Sequence, residues 1–211
     1  MKPPKAEESR APLTQVMPFV HYGVGETRIA GAVVCWEAAG SKLVSVQAIA
    51  GHRIDGFTRF YLHDDAVTVT GNKVNGIGDK YNPDVYLDWR LGETPETPYA
   101  QVASILSPKG LWSADHRGDG TASIAVVSNA PSAKKFRGRF PYGPPSPSAV
   151  ARLARCWDFR DPAQDPENES TWKFTKNPVV QLAWHECFNQ YGNLLDWRKT
   201  ILPVFDMWCE E

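Results

Sequence analysis

The chain has 211 residues, enough for one large domain or two small ones, and 42% of them are hydrophobic, so a packed core is within reach. The formal net charge of −1, with no long run of either sign, argues against a nucleic-acid surface, which needs clustered Lys and Arg to displace counterions. No apolar stretch approaches the ~20 residues of a membrane-spanning helix, and the first residues lack the apolar segment of a secretory signal.

Residues 1–17 are rich in Pro, Lys and Glu and read as an extended arm that a partner would have to hold. Pro18 to Gly23 is extended. Thr27 to Glu37 alternates around Gly31, as two short strands or as one strand with a bulge. Ala38 to Ser41 is a turn. Leu43 to Ala50 is a strand, with Leu43, Ser45, Gln47 and Ile49 on one face and Val44, Val46, Ala48 and Ala50 on the other. Gly51 to Gly56 is a two-glycine turn. Phe57 to His63 is a strand that turns tightly at Asp64-Asp65 and returns as Ala66 to Thr70. Residues 71–98 are loop-rich, with one short strand at Val85 to Trp89, and they provide the best internal boundary.

Pro98 to Ser107 is a helix with Tyr99, Val102 and Leu106 on one face. Pro108-Lys109-Gly110 stops it, and Leu111-Trp112 is an apolar anchor. Asp115 to Gly120 is a tight turn in which Gly118 and Gly120 take positive φ, and Thr121 to Val127 follows as a strand. Lys134 to Gly143 is basic and leads into an exposed loop, Pro144 to Pro147. Ala151 to Phe159 is open between strand, from the apolar odd positions Leu153, Trp157 and Phe159, and helix, from its Ala and Arg content. Asn177 to Gly192 is the clearest helix, with Asn177 as N-cap, Pro178 at the first helical position and Gly192 just past the end. The tail from Leu194 to Glu211 is aromatic, through Trp197, Phe205 and Trp208. The fold class is therefore α+β and β-rich: an arm (1–17), a β-rich subdomain (18–92) and a second α+β subdomain (93–211) with a C-terminal helix and aromatic tail.

No constellation of residues carries chemistry. His185-Glu186 would need a second His at position 189 to hold zinc, and that position is Asn189. Asp115 and Asp119 would open a calcium loop only with a Glu at the twelfth position, which is Val126. Arg117-Gly118-Asp119 matches an adhesion tripeptide, but Gly and Asp are also what the turn requires. The five histidines (His21, His52, His63, His116, His185) and four cysteines (Cys35, Cys156, Cys187, Cys209) give no pair at zinc-ligand spacing. The cysteines read as reduced, mostly buried thiols of a chain made in a reducing cytoplasm. No nucleophile elbow, P-loop or dinucleotide fingerprint occurs. Catalytic, cofactor-binding and metal-ligating residues are accordingly assigned as none, and no cofactor is expected. Carboxylate pairs for sugar hydrolysis need not be close in sequence, and the eight tryptophans suit a sugar platform as well as a core.

Two blocks nevertheless share an order of motifs. The first is Met17 to Gly23, Arg28 to Gly31, then Leu43 to Val67 with its Ile54-Asp55-Gly56 core. The second is Trp112 to Ala122 with His116-Arg117-Gly118, then Cys156 to Pro162, Thr171-Trp172 and Lys176-Asn177-Pro178. In this order and spacing the chain resembles the central tail-tip hub (host-specificity, or tail-fibre hub) proteins of long-tailed bacteriophages. The resemblance covers about two thirds of the chain. It departs from the family at Ala163, where an Arg is usual after Asp161-Pro162, and in length, since family members run on into further hub and fibre domains.

The resemblance implies hub- or tube-like β-barrel domains and a non-enzymatic virion protein at the distal end of the tail, made in the bacterial cytoplasm. It implies a homo-oligomer, a trimer, contacting a tail tube or distal tail protein on one side and fibre or tip proteins on the other. Met1 to Met17 and Asn193 to Glu211 are then interface segments. The rivals are a tail-associated carbohydrate-binding or wall-degrading protein and a cellular tail-derived device such as a gene-transfer particle.

Overall fold

The computed structural model describes residues 19–76, 78 and 80–203. The arm, Phe205, Trp208 and Cys209 lie outside the described residues. Eleven strands are β1 (Glu26–Ile29), β2 (Ala32–Ala39), β3 (Lys42–Ala50), β4 (Gly56–Leu62), β5 (Asp65–Thr70), β6 (Lys73–Asn75), β7 (Val85–Leu91), β8 (Ala122–Asn129), β9 (Pro147–Arg152), β10 (Arg155–Cys156) and β11 (Lys173–Phe174). Four helices are α1 (Ala100–Leu106), α2 (Ala133–Arg139), α3 (Pro178–Cys187) and α4 (Trp197–Thr200). The fold is β-rich α+β.

Nine strands form one antiparallel sheet in the order β1-β9-β4-β5-β6-β7-β8-β3-β2. Its first and last strands are neighbours in sequence, joined only by Ala30-Gly31. Three residue steps span at most ~11 Å, so the sheet curls into a half-barrel that brings its two edges together. At this seam the backbones approach closely: a Cβ on Gly31 would lie 2.3 Å from the Ala48 carbonyl oxygen. The interval around Gly31 is thus two strands, not one bulged strand, and they run at opposite edges of the sheet.

The concave side holds the main core, with Ile49, Leu62, Val74, Leu87, Ile124 and Val126 drawn from five strands. On the other side α1 lays Tyr99, Val102 and Leu106 over Val44, Val46, Ala125 and Val127. β3 and β8 are therefore covered on both faces, which explains the near-continuous apolar run of β8. The same double cover buries Ser45 and Gln47 of β3. The division expected at residue 92/93 falls between β7 and β8, which pair from Val85↔Ser128 to Leu91↔Ala122. β9 likewise inserts between β1 and β4. Both predicted subdomains thus contribute strands to a single sheet.

Several boundaries differ from the sequence expectation. The β4–β5 hairpin turns at His63-Asp64, with His63 at φ 54°, and Asp65 already belongs to the returning strand. The basic segment forms α2. The Pro144 to Pro147 loop is not exposed throughout: Pro145 and Pro147 are buried, and Pro147 opens β9. Ala151 to Phe159 is strand where it is regular, in β9 and β10.

A C-terminal lobe packs Trp157, Trp172, Val180, Trp184 and Ile201 against Ala154 and Cys156. Asn177 caps α3 as expected, its side-chain oxygen accepting from the Val179 and Val180 amides. Asn177→Ala is expected to cost about 1 kcal/mol in urea unfolding; a loss below a few tenths would show that the cap adds nothing. α3 ends at Cys187, earlier than expected. Gly192 is not its left-handed cap but fits against the helix end, where a Cβ would lie 1.8 Å from the His185 carbonyl oxygen.

Candidate interaction surfaces

Parts of the motifs that carry the resemblance, Tyr22-Gly23, Gly51 to Gly56, Cys156 and Trp172, are far apart in sequence and meet where the lobe joins the sheet, whereas Trp112 packs beside α1. Ile54 is fully buried, and its amide donates to the Leu91 carbonyl. The Asp55 amide donates to the Arg152 carbonyl, and the Asp55 carboxylate pairs with Arg152 at 2.6 Å and Arg155 at 3.7 Å. Gly51 is needed for space, since a Cβ there would lie 2.6 Å from the Tyr22 hydroxyl. The Ile-Asp-Gly turn is therefore a clamp that fixes the strand entering the lobe.

His52 sits between the rings of Tyr22 (5.6 Å) and Trp184 (5.5 Å). Its Nε2 accepts from the Gly23 amide at 3.1 Å, so the proton is on Nδ1, which donates to the Arg53 carbonyl at 2.8 Å. Both ring nitrogens are occupied, and protonation would remove the acceptor that Gly23 uses. Burial pushes the His52 pKa below its ordinary value, and burial does the same at His63. A native state that resists protonation loses stability wherever the unfolded chain binds the proton. Stability should be full above about pH 6.5 and fall as pH drops below it. His52→Gln should flatten, without abolishing, this slope in thermal melts between pH 7 and 5. An unchanged slope would remove His52 as a source.

Around this junction is an open cleft of about 160 Å³, lined in part by Tyr22, Arg53, Arg155, Glu169, Trp172 and Asn189. It is smaller than the ~300–1,000 Å³ of small-molecule sites. Glu169 is the one carboxylate among its lining residues. Every described tryptophan is buried or half-buried, so none offers the open face of a sugar platform.

The other predicted motifs have structural uses. Gly118 and Gly120 take φ 73° and 72°, as the turn requires. The Asp119 carboxylate is shared between the Arg117 guanidinium and the Glu96 amide, both at 2.8 Å, which ties up the acidic residue of the adhesion tripeptide. His185 is exposed, and its Nδ1 lies 3.1 Å from the Asn189 amide nitrogen. Asn189, in the position a zinc histidine would occupy, is buried and accepts from the Tyr191 amide. Cys35 and Cys156 are buried free thiols, and burial pushes them up to about 11 and about 12. Cys187 is free and half-buried. No group of three or more His, Cys, Asp or Glu side chains is placed to hold a metal among the described residues.

Two anions escaped the sequence reading. Glu96 is buried, and its carboxylate accepts from the amides of Gly92, Glu93 and Thr97 and from the Thr97 hydroxyl. Burial alone would raise its pKa, but these donors outweigh it and hold the carboxyl below the usual range. Asp161 accepts from Lys173, the Ala163 amide and Gln164 and is held down at about 2. At the departure from the family pattern, residue 163 thus contributes a backbone N–H that any residue but proline supplies.

Apolar side chains are exposed on the same lobe. Val179 and Leu182, one turn apart on the outer face of α3, are exposed. The Leu195 amide donates to the Glu186 carbonyl, which brings exposed Leu194 and Leu195 beside the end of that helix. Tyr191, 68% exposed, lies 4.4 Å from the Tyr22 ring, in a chain segment that starts with exposed Phe19 and Val20. Apolar side chains concentrated on one lobe mark an interaction surface.

No described helix is long and apolar enough to cross a membrane. No family of known proteins matches the sequence, and no curated protein matches it. Among solved structures, a chain of the "Virion of native gene transfer agent (GTA) particle" is a partial likeness, with a TM-score of 0.40 and 14% identity; the match covers 79% of this chain and 33% of that one.

Proposed function

We propose that the chain is a structural component of a phage-type tail, a hub at the distal tip joining the tail tube to fibre or tip proteins. The observation that carries this reading is convergence. Gly23, His52 and Asp55 of the first block and Cys156 and Trp172 of the second fold, with Trp184 of α3, into one junction, while the turn after Trp112 stands apart beside α1. Beside that junction lies the exposed apolar face of α3 and the following loop. A face of this kind suits assembly into a closed ring, a homotrimer in this reading, in which repeated contacts cover it.

No enzymatic role is proposed. A glycoside hydrolase needs two carboxyl groups flanking one bond, and Glu169 stands without a second carboxylate in the cleft lining. The same cleft offers a sugar no exposed tryptophan. Mass spectrometry of purified particles, with antibody labelling of this chain under the electron microscope, tests the proposal. Labelling at the tip of the tail is expected. Absence of the chain from particles, or turnover of a cell-wall polymer by the purified protein, would overturn it.

A further inference from the structure

The half-barrel has a second feature, at the end opposite the lobe. The lobe meets the sheet near Gly23, His52 and Ala154, where β3 and β9 finish. Where β3 begins and β8 ends, an apolar groove of about 190 Å³ opens between the β2–β3 hairpin and α2. Leu43, Ala130, Phe136, Phe140 and Pro144 line it, and its one charged lining residue is Lys42. Phe136 and Phe140 meet edge to face at 5.6 Å and form its aromatic wall. α2 carries four basic residues and no acidic one, and Lys134 and Lys135 are exposed. Arg139 is turned inward onto Asp84 at 3.1 Å. The groove is thus an apolar slot with a positive rim.

The complementary segment is in the same sequence. Residues 204–211 combine Val204, Phe205, Met207 and Trp208 with Asp206, Glu210 and Glu211, and contain no Lys or Arg. We propose that this segment of one copy docks in the basic apolar groove of a second copy, its aromatic side chains in the slot and its carboxylates against Lys42, Lys134 and Lys135.

Reach selects the second copy over the first. Ile201, three residues before Val204, packs in the lobe core with Ala154 and Trp172. The nine residues of β3 separate that end of the sheet from the groove, a distance of about 30 Å at ~3.3 Å per residue. Trp208, the last aromatic residue of the segment, is seven residues past Ile201 and extends no more than about 23–25 Å from it. Charge complementarity then adds specificity to apolar burial, with attraction that weakens as salt screens it. Because the groove and the lobe that holds Ile201 are at opposite ends, such a contact is head-to-tail and closes into a ring only if the rotation between copies permits. The inference does not depend on where the protein works.

Sedimentation velocity of the purified chain over a range of concentrations tests it. Four proteins are compared: the full chain, a chain ending at Pro203, the reversal K134E/K135E, and that reversal combined with E210K/E211K. The full chain should self-associate. Truncation and reversal should each weaken association by about tenfold or more, and the combined charge swap should restore it. Both lysines are exposed, so reversal leaves the fold intact, which circular dichroism verifies. A full chain that stays monomeric, association unaffected by truncation, association lost on truncation yet untouched by reversal, or failure of the swap to restore it would each overturn the proposal. None of these outcomes decides whether the chain belongs to a tail tip, which particle labelling addresses.

Discussion

Trp184→Ala should destabilise the protein by about 3–5 kcal/mol, the range for removing a large buried aromatic side chain. Trp184 is 7% exposed and belongs to the lobe core with Trp172 and Val180. Its ring also stands against His52. The loss should not be shared evenly. The β3 and β8 ladders are covered by α1 and filled by the barrel core, neither of which Trp184 touches. Hydrogen exchange should therefore show loss of protection at β10, β11 and α3, with β3, β7 and β8 retained. A denaturation midpoint equal to wild type would remove the packing argument. Uniform loss of protection would show that lobe and half-barrel unfold as one unit.

Gly31→Val should cost about 2–4 kcal/mol, as overpacking does where backbone cannot yield. The obstacle is space and not torsion, because Gly31 is not among the positive-φ glycines. A Cβ there meets the Ala48 carbonyl at 2.3 Å and the Ile49 Cδ1 at 2.8 Å. Ala48 pairs with Ala32 on one side and Ser123 on the other, so its carbonyl cannot retreat without loosening two ladders. Gly138→Ala is the control. Gly138 lies in α2 with nothing within 4 Å of an added Cβ, and replacing it should stabilise by about 0.5–1 kcal/mol. Equal effects at the two sites in chemical denaturation would refute the close approach at the seam.

Local chemistry made much of this chain legible. The Asn177 cap, the α1 face of Tyr99, Val102 and Leu106, the positive φ of Gly118 and Gly120, and the alternation of β3 each depend on residues within one turn or one strand. Where the sequence reading slipped, the deciding contact was distant. The β4–β5 turn moved to His63-Asp64, where the His63 amide donates to the Ser146 carbonyl. β8 pairs with both β3 and β7, so one sheet takes strands from either side of residues 92 and 93. Glu96 gathers four donors around its carboxylate, from Gly92, Glu93 and Thr97, in a loop whose composition does not announce them.

The sequence by itself determined a β-rich α+β chain, its main turns and its capped helix, because torsional preference and side-chain periodicity act over a few residues. It also supplied the order of motifs on which the tail-hub proposal rests. Only the tertiary structure decided that β1 and β2 lie at opposite edges, that His52 is clasped between Tyr22 and Trp184, and that the apolar lobe and basic groove face opposite ends. Strand order and burial are set by pairing between segments far apart in sequence, as at Glu26 and Arg152 in β1 and β9. No local pattern encodes which of many compatible partners the chain selects.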